Sequence, residues 1–560
     1  MSRENWTDVL LGESSRLDAE LIAHYRNVGA WRGIPLGHYL ADAVAAAPDR
    51  LATISVDGTG EVVRSLTYRQ LDELSRRIAA GLRGLGVDAG DTVSVMVPNC
   101  SEFSAIAYAI SRLGAVYSGI PITYGRRELG FMLGRARTRV LIIAASHHGQ
   151  DLLALARDVL ADNRDVEHVV VIGSPDAQER RWISFRELIA TAPLAELPEV
   201  DPYSIAQLAF TSGTTSEPKA VMNLHATLDS VVTSWLRHVG GGEAMGEPVV
   251  NLIMSPVGHS TGYFWGALLT AYLHGTAVYL DRWSPEIGLR ALREQKVTTM
   301  IGSPTFLLDV LRLEETTAQA LPDLRLVSVP GAPIPRTLVP RAREQLGCAV
   351  IPAWGMTEYG IGVSGSVALP RDRVEATDGI AVAPCEVRVS TADGTMSVRG
   401  EEGDLQIRGP GLFAGYYQRP DFTAEAFTRD GWFQTGDRAA VDAAGYVSLL
   451  GRTKDIVIRG GENIPVIDIE NLLYRHPAVA EVAVIGIPDE RLGERAHAVL
   501  VMTGNAPMTL HAMREYLLAQ GLSKRFLPEG VTVVEAMPKT MSGKIRKVEL
   551  RLQFAQATRA

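Results

Sequence analysis

The 560-residue chain has few cysteines. The three that are present, Cys100, Cys348 and Cys385, lie far apart and form no CxxC pair. This argues against a disulfide framework and against a zinc site built on cysteine pairs. It favours a reducing cytoplasm as the compartment.

An excess of basic residues is also absent. The chain has 55 Lys and Arg against 64 Asp and Glu, a formal net charge of −9. This balance argues against a broad nucleic-acid surface and leaves only local basic sites open. Hydrophobic residues make up 46% of the chain and charged residues 21%, as in an ordinary globular protein.

No apolar run reaches the length that spans a membrane. The strongest candidate, residues 264–280, is interrupted by Gly266, His274 and Gly275. Residues 1–11 carry three charged side chains and lack the apolar core of a signal peptide, so none is expected. Peripheral membrane contact is left open.

The periodicity of apolar residues predicts a layered α/β fold. Thr67 and Gln70 have the spacing of a capping box, and leucines and isoleucine then recur at helical spacing up to Gly86. Strand-like runs follow at 93–97, 140–143 and 169–172, with a helical stretch at 151–160. This alternation favours largely parallel sheets.

The length of the chain predicts at least two domains. A hairpin-like turn at 442–446 precedes Arg452, and a new α/β pattern that contains the apolar run 482–485 follows it. The best boundary therefore lies close to Arg452. His147 and His148 are interpreted as part of a loop, and no HExxH-type metal site is found.

A hydroxyl-rich loop follows the apolar run 205–210. Its sequence, residues 211–219, contains Gly213, which lets backbone N–H groups approach anionic oxygens, and ends at Lys219. It differs from the common GxxxxGK[ST] phosphate loop at Pro218 and Ala220. By itself, this pattern fits a polar surface turn equally well.

A second phosphate-type element, Ser542-Gly543-Lys544, lies near the C-terminus. Two such elements at opposite ends of one chain suggest that two domains handle one nucleotide.

The chain resembles the adenylate-forming superfamily of acyl-CoA synthetases, aryl-acid ligases, adenylation domains and luciferases. Eight segments carry the resemblance in the order of the family: 211–219, 255–262, 330–333, 354–358, 431–437, 451–455, 460–463 and 538–544. Segments 354–358 and 461–466 are most similar to those of bacterial ligases for short-chain, alicyclic or aromatic acids.

The resemblance implies a large N-terminal layered α/β domain, residues 1–451, and a small mobile C-terminal α/β lid, residues 452–560. Lys454 would be the hinge. Lys544 would reach from the lid to the carboxylate of the acid and the α-phosphate. Thr357 and Glu358 would contact the α-phosphate, with Glu358 also binding Mg²⁺, and His259 would line the acid pocket.

The resemblance also implies a set of nucleotide-binding residues. The β- and γ-phosphates would be bound by Thr211, Ser212, Gly213, Thr214, Thr215 and Lys219. The adenine and the α-phosphate region would lie against Gly331, Ala332, Pro333, Trp354, Gly355 and Met356. Asp437 would bind the ribose hydroxyls, and Arg452 would bridge ribose and α-phosphate.

Four of these side chains also have an ordinary structural interpretation. Lys544 could be a solvated surface charge, Glu358 a helix-terminal charge, Asp437 a turn cap and His259 a packed core histidine. The chain departs from the family at three places where glycine is usual, namely Ser216, Ala220 and Pro330.

The function that the resemblance implies is ATP- and Mg²⁺-dependent conversion of a carboxylic acid to acyl-AMP, followed by transfer to the thiol of CoA as co-substrate. The alternatives are an aryl-acid enzyme that loads the phosphopantetheine of a carrier protein, a diazotase that activates nitrite, and a catalytically degenerate nucleotide sensor. A CoA 3′-phosphate site near Lys524 and Arg525 would separate the first two. Segment 255–262 lacks the aspartate that holds an amino-acid ammonium, which favours a simple acid. Homo-oligomer formation is left open.

Overall fold

The computed structural model describes residues 15–17, 19–174, 181–211, 218–313, 317, 319–391, 400–452, 457–459, 462–489, 491–504, 508–540 and 543–557. The strands up to Arg452 are β1 Leu51–Val56, β2 Val62–Thr67, β3 Thr92–Met96, β4 Val116–Gly119, β5 Thr138–Ala144, β6 Ser146–His147, β7 Gln150–Asp151, β8 His168–Ile172, β9 Trp182–Ser184, β10 Ile205–Phe210, β11 Ala220–Leu224, β12 Val250–Ile253, β13 Thr276–Leu280, β14 Thr299–Ile301, β15 Leu326–Val329, β16 Ala349–Met356, β17 Gly360–Ser364, β18 Ile380–Ala381, β19 Glu386–Ser390, β20 Glu402–Arg408, β21 Phe433–Val441 and β22 Val447–Arg452. Those beyond it are β23 Val457–Arg459, β24 Glu462–Ile464, β25 Val479–Asp489, β26 Gly493–Met502 and β27 Gly530–Val533.

Helices connect these strands. The α-helices are Ala19–Asn27, His38–Ala46, Tyr68–Gly84, Ser101–Arg112, Arg126–Arg135, Leu152–Leu160, Phe185–Ile189, His225–Val239, Gly241–Met245, Ser260–Gly262, Thr270–Tyr272, Pro285–Glu294, Pro304–Leu311, Leu338–Leu346, Arg371–Ala376, Pro420–Ala426, Val466–Tyr474, Leu510–Ala519 and Lys547–Ala557. A π-helix spans Tyr263–Leu269, and a 3₁₀-helix spans Lys524–Phe526.

Two large sheets form the layers of the N-terminal region. One has nine strands in the order β18-β17-β16-β15-β14-β12-β13-β1-β2, and the other has seven in the order β11-β10-β4-β3-β5-β8-β9. Their central pairs are parallel, whereas β1–β2, β16–β17, β17–β18 and β10–β11, towards the edges, are antiparallel. The predicted α/β class with largely parallel sheets is therefore confirmed.

Local sequence signals explain several of these elements. The side chain of Thr67 accepts a hydrogen bond from the backbone of Gln70, whose own side chain accepts one from the Thr67 N–H, so the predicted capping box is present. Asp151 caps the helix Leu152–Leu160. The predicted turn at 442–446 joins β21 to β22 in a four-stranded sheet ordered β19-β20-β21-β22.

The residues after 456 have a sheet and a core of their own. Strands β24, β23, β26 and β25 pair in that order, with β27 beside β26. The two apolar clusters of this region contain only its own residues, among them Ile469, Leu500 and Leu550. A large region and a small α/β region are thus present, and the boundary at Arg452 stays a prediction because 453–456 lie outside the described residues.

None of the described helices combines the length and the apolar character needed to cross a bilayer.

Candidate active site

Four neighbouring parallel strands of the nine-stranded sheet end at one edge. They are β16, β15, β14 and β12, which lie side by side in that order. Because parallel strands place their carboxyl ends together, the loops that follow them meet at that edge. Those loops carry Thr357 and Glu358 after β16, Gly331 after β15 and His259 after β12, while Thr305 lies in the first turn of the helix Pro304–Leu311 that follows β14.

Lys544 reaches this edge from the C-terminal region. A Cβ atom built on Gly331, whose φ is +94°, would lie 3.5 Å from Lys544 Cε, so the lysine passes directly over this glycine. The Thr305 hydroxyl donates a hydrogen bond of 2.6 Å to the Gly543 carbonyl. A Cβ on Gly543 would approach Ser303 Oγ to 2.6 Å, so only glycine allows this close approach.

A second contact between the two regions lies beside the helix Pro304–Leu311. Arg312 donates a hydrogen bond of 2.9 Å to the Ala480 carbonyl. Within the C-terminal region, Lys539 lies 2.9 Å from Glu481 in an ion pair. Arg312 also approaches Glu481 to 4.0 Å. These contacts hold the C-terminal region where Lys544 enters the site.

The charge of Lys544 is set by its surroundings. The walls of the cleft and, secondarily, the charge of Arg452 lower the pKa of Lys544 to about 8, while Asp437 opposes this shift. More than a third of the residue remains exposed to solvent, so water screens part of the effect. Lys544 is therefore a cation at neutral pH.

Asp437 lies in β21, opposite Arg452 of β22. The residue is only 8% exposed, and its carboxylate accepts a hydrogen bond of 3.0 Å from Trp354 Nε1. Arg452 Nε lies 3.4 Å from the other carboxylate oxygen. The indole and the guanidinium therefore fix the orientation of an acceptor that suits two vicinal hydroxyls.

Glu358 is 7% exposed, and its side chain accepts a hydrogen bond of 2.9 Å from the Tyr416 hydroxyl. Burial raises the pKa of Glu358 above its ordinary value, and the Tyr416 hydrogen bond opposes this shift most strongly. The charges of Arg452 and Lys219 oppose it as well. Glu358 is thus a buried, oriented carboxylate with cations nearby.

Lys219 lies at the end of the predicted phosphate loop. The Thr211 N–H donates to the Lys219 carbonyl at 3.0 Å, which closes the base of the loop. The Lys219 ammonium sits 4.6 Å from the centre of the Tyr416 ring and 4.5 Å from that of Phe422. Two aromatic faces thus position this cation.

The remaining phosphate-loop residues, Ser212, Gly213, Thr214, Thr215 and Ser216, lie outside the described residues, as does Lys454. Their roles stay predictions.

The two other departures from the family fit the structure. Ala220 is buried in β11, paired with Phe210, and has no left-handed backbone. The left-handed conformation after β15 falls on Gly331, not on Pro330. Neither position therefore demands glycine.

Three further predicted residues, Gly355, Met356 and Thr357, have mainly structural surroundings. A Cβ on Gly355 would lie 1.8 Å from the Gly360 carbonyl oxygen, so close strand packing requires glycine there. Met356 is partly buried against the main core. Thr357 is half-buried, and its carbonyl accepts a hydrogen bond of 3.5 Å from Asn223. Ala332 is half-buried and Pro333 is exposed at the edge of the site.

His259 lines a recess next to Lys544. The walls of this recess are formed by Gly119, Pro121, Tyr124, Met132, Gln207, Ala209, Phe210, Gly258, His259 and Ser260. Burial and, secondarily, the charge of Lys544 lower the pKa of His259 to about 4. The imidazole is therefore neutral at pH 7.

Sequence analysis missed Thr305, Tyr416 and Phe422. The position of Thr305 at the start of the helix that follows a strand of the parallel set was an available signal. Tyr416 and Phe422 gave none, because their role depends on Glu358 and Lys219 reaching them across the fold.

Comparison with known proteins identifies the family of the chain. The family model for AMP-binding enzymes matches residues 40–417, and the model for the C-terminal domain of AMP-binding enzymes matches residues 468–544. A medium-chain fatty-acid–CoA ligase of Escherichia coli is 29% identical, with 97% of this chain and 95% of the relative covered. A salicyl-AMP ligase / salicyl-S-ArCP synthetase of Mycobacterium tuberculosis is 31% identical, with 98% and 96% covered.

Among solved structures, ATP-bound MatB from Rhodopseudomonas palustris superimposes with a TM-score of 0.82 at 26% identity, covering 94% of this chain and 99% of that protein. The two matched models lie on either side of Arg452, and the relatives match nearly end to end. The chain therefore belongs to the AMP-binding enzyme family, within the adenylate-forming superfamily.

Proposed function

We propose that this protein activates a carboxylic acid with ATP to form acyl-AMP and then transfers the acyl group to the thiol of CoA. The observation that carries the proposal is the position of Lys544. This cation lies over Gly331, its charge is coupled to Arg452 and Asp437, and it borders the recess of His259. It stands where a nucleotide and an acid would meet.

The first half-reaction brings two anions together. A carboxylate oxygen attacks the α-phosphorus, a new P–O bond forms, and the bond to pyrophosphate breaks with its electrons leaving on pyrophosphate. Lys544 would stabilise the charge on the two reactants, while Asp437 and Arg452 would hold the ribose and the α-phosphate in line. Lys219 would hold the outer phosphates.

Glu358 would hold Mg²⁺. The donor set fits, because Glu358 offers a buried carboxylate and Thr357 a neighbouring hydroxyl, and Mg²⁺ prefers oxygen ligands from few protein groups. The ion would neutralise charge on the phosphates. The hydrogen bond from Tyr416 would keep the carboxylate in its orientation.

The recess supports an uncharged acid side chain. Among the described residues that form its walls, none is an Asp, Glu, Lys or Arg, and His259 is neutral at pH 7. An amino-acid ammonium or a second carboxylate would find no opposite charge there, whereas a ring or a short alkyl chain would find a neutral lining in which Met132 and Phe210 accompany polar groups.

Both kinds of thiol acceptor are represented among the relatives. The Escherichia coli relative is named a CoA ligase, and the Mycobacterium tuberculosis relative a salicyl-S-ArCP synthetase. We favour free CoA as the simpler acceptor and treat a carrier protein as the alternative. Lys524 and Arg525 are exposed on the 3₁₀-helix, where a CoA 3′-phosphate could reach them.

We expect benzoate-like, alicyclic and short-chain acids to support ATP–pyrophosphate exchange better than any zwitterionic amino acid. The physical reason is that the described walls of the recess carry no negative charge and cannot compensate for the free energy of desolvating an ammonium group. The measurement is a panel of acids assayed for exchange, for AMP release and, by mass spectrometry, for the acyl-CoA ester.

The outcomes of this panel are distinct. AMP release without a CoA ester, together with acylation of a phosphopantetheinylated carrier protein, would replace CoA by the carrier. Turnover only with nitrite and an aromatic amine would indicate a diazotase, and preference for an amino acid would overturn the argument from the recess. Absence of exchange with every acid would favour a nucleotide sensor.

We expect Thr305→Val to slow the adenylation half-reaction about 5-fold while leaving thioester formation from supplied acyl-AMP unchanged. The substitution removes one hydrogen bond to the Gly543 carbonyl, worth about 1 kcal/mol, and with it the anchor next to Lys544. Thr305 is thus a positioning residue. Single-turnover assays of each half-reaction provide the measurement.

The matched control is Thr305→Ser, which keeps the hydroxyl and should restore adenylation. Equal slowing of both half-reactions, or failure of serine to rescue, would show that Thr305 contributes to general stability and not to the position of Lys544.

The resemblance and the separate core of the C-terminal region together support a lid of residues 452–560 that turns about Lys454 between half-reactions. The position of Lys544 over Gly331 would then be that of the adenylating orientation.

A further inference from the structure

Two neighbouring histidines and one aspartate converge away from the proposed catalytic residues. His147 Nε2 lies 2.9 Å from Asp281 Oδ1, and His148 Nε2 lies 3.3 Å from Asp281 Oδ2. The ligand atoms of the three residues all lie within 4.8 Å of one another. Among the described residues, no other group of three or more His, Cys, Asp and Glu side chains brings its ligand atoms this close together.

The fold brings this group together from distant segments. His147 and His148 belong to the hairpin β6–β7, which follows β5 of the seven-stranded sheet. Asp281 follows β13 of the nine-stranded sheet, and its N–H donates to the Val56 carbonyl at 3.0 Å, which fixes its backbone. The cluster thus bridges the two large sheets.

The hairpin turn aims both imidazoles at the carboxylate. His148 and Gly149 occupy the two turn positions with φ of +46° and +84°, and the imidazole rings lie 4.0 Å apart. A Cβ on Gly58 would approach His148 Cε1 to 3.2 Å, so the absence of a side chain there makes room for the ring. His148, which the sequence analysis assigns to a loop, therefore has a defined partner in Asp281.

We propose that His147, His148 and Asp281 form a binding site for one divalent transition-metal ion of the zinc class. Two imidazole nitrogens and a carboxylate suit Zn²⁺, Co²⁺ or Ni²⁺ and not Mg²⁺, which prefers oxygen ligands. Tetrahedral ligands about 2.0–2.1 Å from zinc lie about 3.3 Å from each other, close to the two separations observed.

The environment leaves room for a further ligand. His147 is 11% exposed, Asp281 24% and His148 38%, so one side of the cluster faces solvent and a water molecule could complete the coordination. The ion would join the hairpin after β5 to the end of β13. Because the ion binds the folded chain, it would raise the melting temperature, and this inference does not rest on the proposed function.

The test is titration of the untagged full-length protein with Zn²⁺ in the presence of excess Mg²⁺, followed by calorimetry and melting temperature. Co²⁺ replaces Zn²⁺ in a parallel titration, because its visible absorption reports imidazole and carboxylate coordination. The variants are His148→Ala, at the most exposed ligand, and Asp281→Asn, which keeps shape and a hydrogen-bond acceptor. His511→Ala, at an exposed histidine of the helix Leu510–Ala519, is the matched control.

We expect wild type and His511→Ala to bind one Zn²⁺ per chain and to melt at a higher temperature with it. We expect His148→Ala and Asp281→Asn to lose at least about 10-fold in affinity and most of the thermal shift and the Co²⁺ absorption. The proposal is overturned if wild type binds no Zn²⁺, or if both ligand variants bind it as tightly as wild type.

Discussion

Replacing Lys544 by alanine is expected to reduce adenylation by a factor on the order of 10² to 10³, while thioester formation from supplied acyl-AMP continues near the wild-type rate. The substitution removes a cation that the C-terminal region places over Gly331, and a preorganised charge contact in a closed site has an effect of this size. ATP–pyrophosphate exchange and single-turnover thioester formation measure the two half-reactions separately.

The pH profile gives an independent test of the same residue. Since the pKa of Lys544 is lowered to about 8, its positive charge is present at pH 7 and is lost as pH rises through that value. We expect kcat/KM for adenylation to fall on the alkaline side of about pH 8, because this ratio reports ionisation in the free enzyme. The alkaline limb should disappear in Lys544→Ala.

Two variants serve as controls for Lys544→Ala. Lys296→Ala changes an exposed lysine outside the site and should leave both half-reactions unaltered. Lys544→Arg keeps the charge but changes its reach and should recover only part of the rate. If Lys544→Ala slows both half-reactions equally, the residue supports folding or the contact between the two regions instead.

The second large effect is expected for Glu358→Gln, which should lower adenylation by a factor on the order of 10² and raise the Mg²⁺ concentration required for half-maximal rate. Glutamine keeps an oxygen that can accept the hydrogen bond of Tyr416, so the change removes the charge and little of the shape. Initial rates over a range of Mg²⁺ concentrations measure both effects.

The thermal stability of Glu358→Gln should not fall with its adenylation rate. Burial raises the pKa of Glu358, so the folded chain holds this proton more tightly than the unfolded chain, and the group favours folding at low pH. That contribution is lost as pH rises through the folded pKa, and at pH 7 the buried charge is unfavourable. We therefore expect Glu358→Gln to melt at or above the wild-type temperature at pH 7.

A lower adenylation rate together with an unchanged or higher melting temperature would separate an effect on catalysis from an effect on folding. Glu425→Gln, at an exposed carboxylate of the helix Pro420–Ala426, is the matched control and should change neither rate nor Mg²⁺ dependence. Tyr416→Phe should give an intermediate loss, because the carboxylate keeps its charge but loses its orientation. An unchanged Mg²⁺ requirement in Glu358→Gln would assign the residue a structural role.

Local signals in the sequence predicted the elements that depend on neighbours in the chain. The capping box of Thr67 and Gln70 formed as expected, and the turn at 442–446 joins two strands as its residues indicate. Such features rest on contacts a few residues apart, and the side-chain preferences that produce them act in any fold.

The motifs also indicated which segments of the chain would carry the site. Lys544, Asp437, Arg452 and Glu358 were identified through the resemblance, and the structure brings them to one edge of the sheet. Their roles remain proposals until the half-reactions are measured.

By itself, the sequence determined the α/β class, the family and the residues with the greatest chemical potential, because these follow from periodicity and from short motifs. Only the tertiary structure decided what surrounds them: Thr305 under Gly543, Tyr416 against Glu358, and the neutral walls around His259. It also joined His147 and His148 to Asp281, more than 130 residues away. Contacts between segments so distant depend on how sheets and regions pack against each other, which no local pattern encodes.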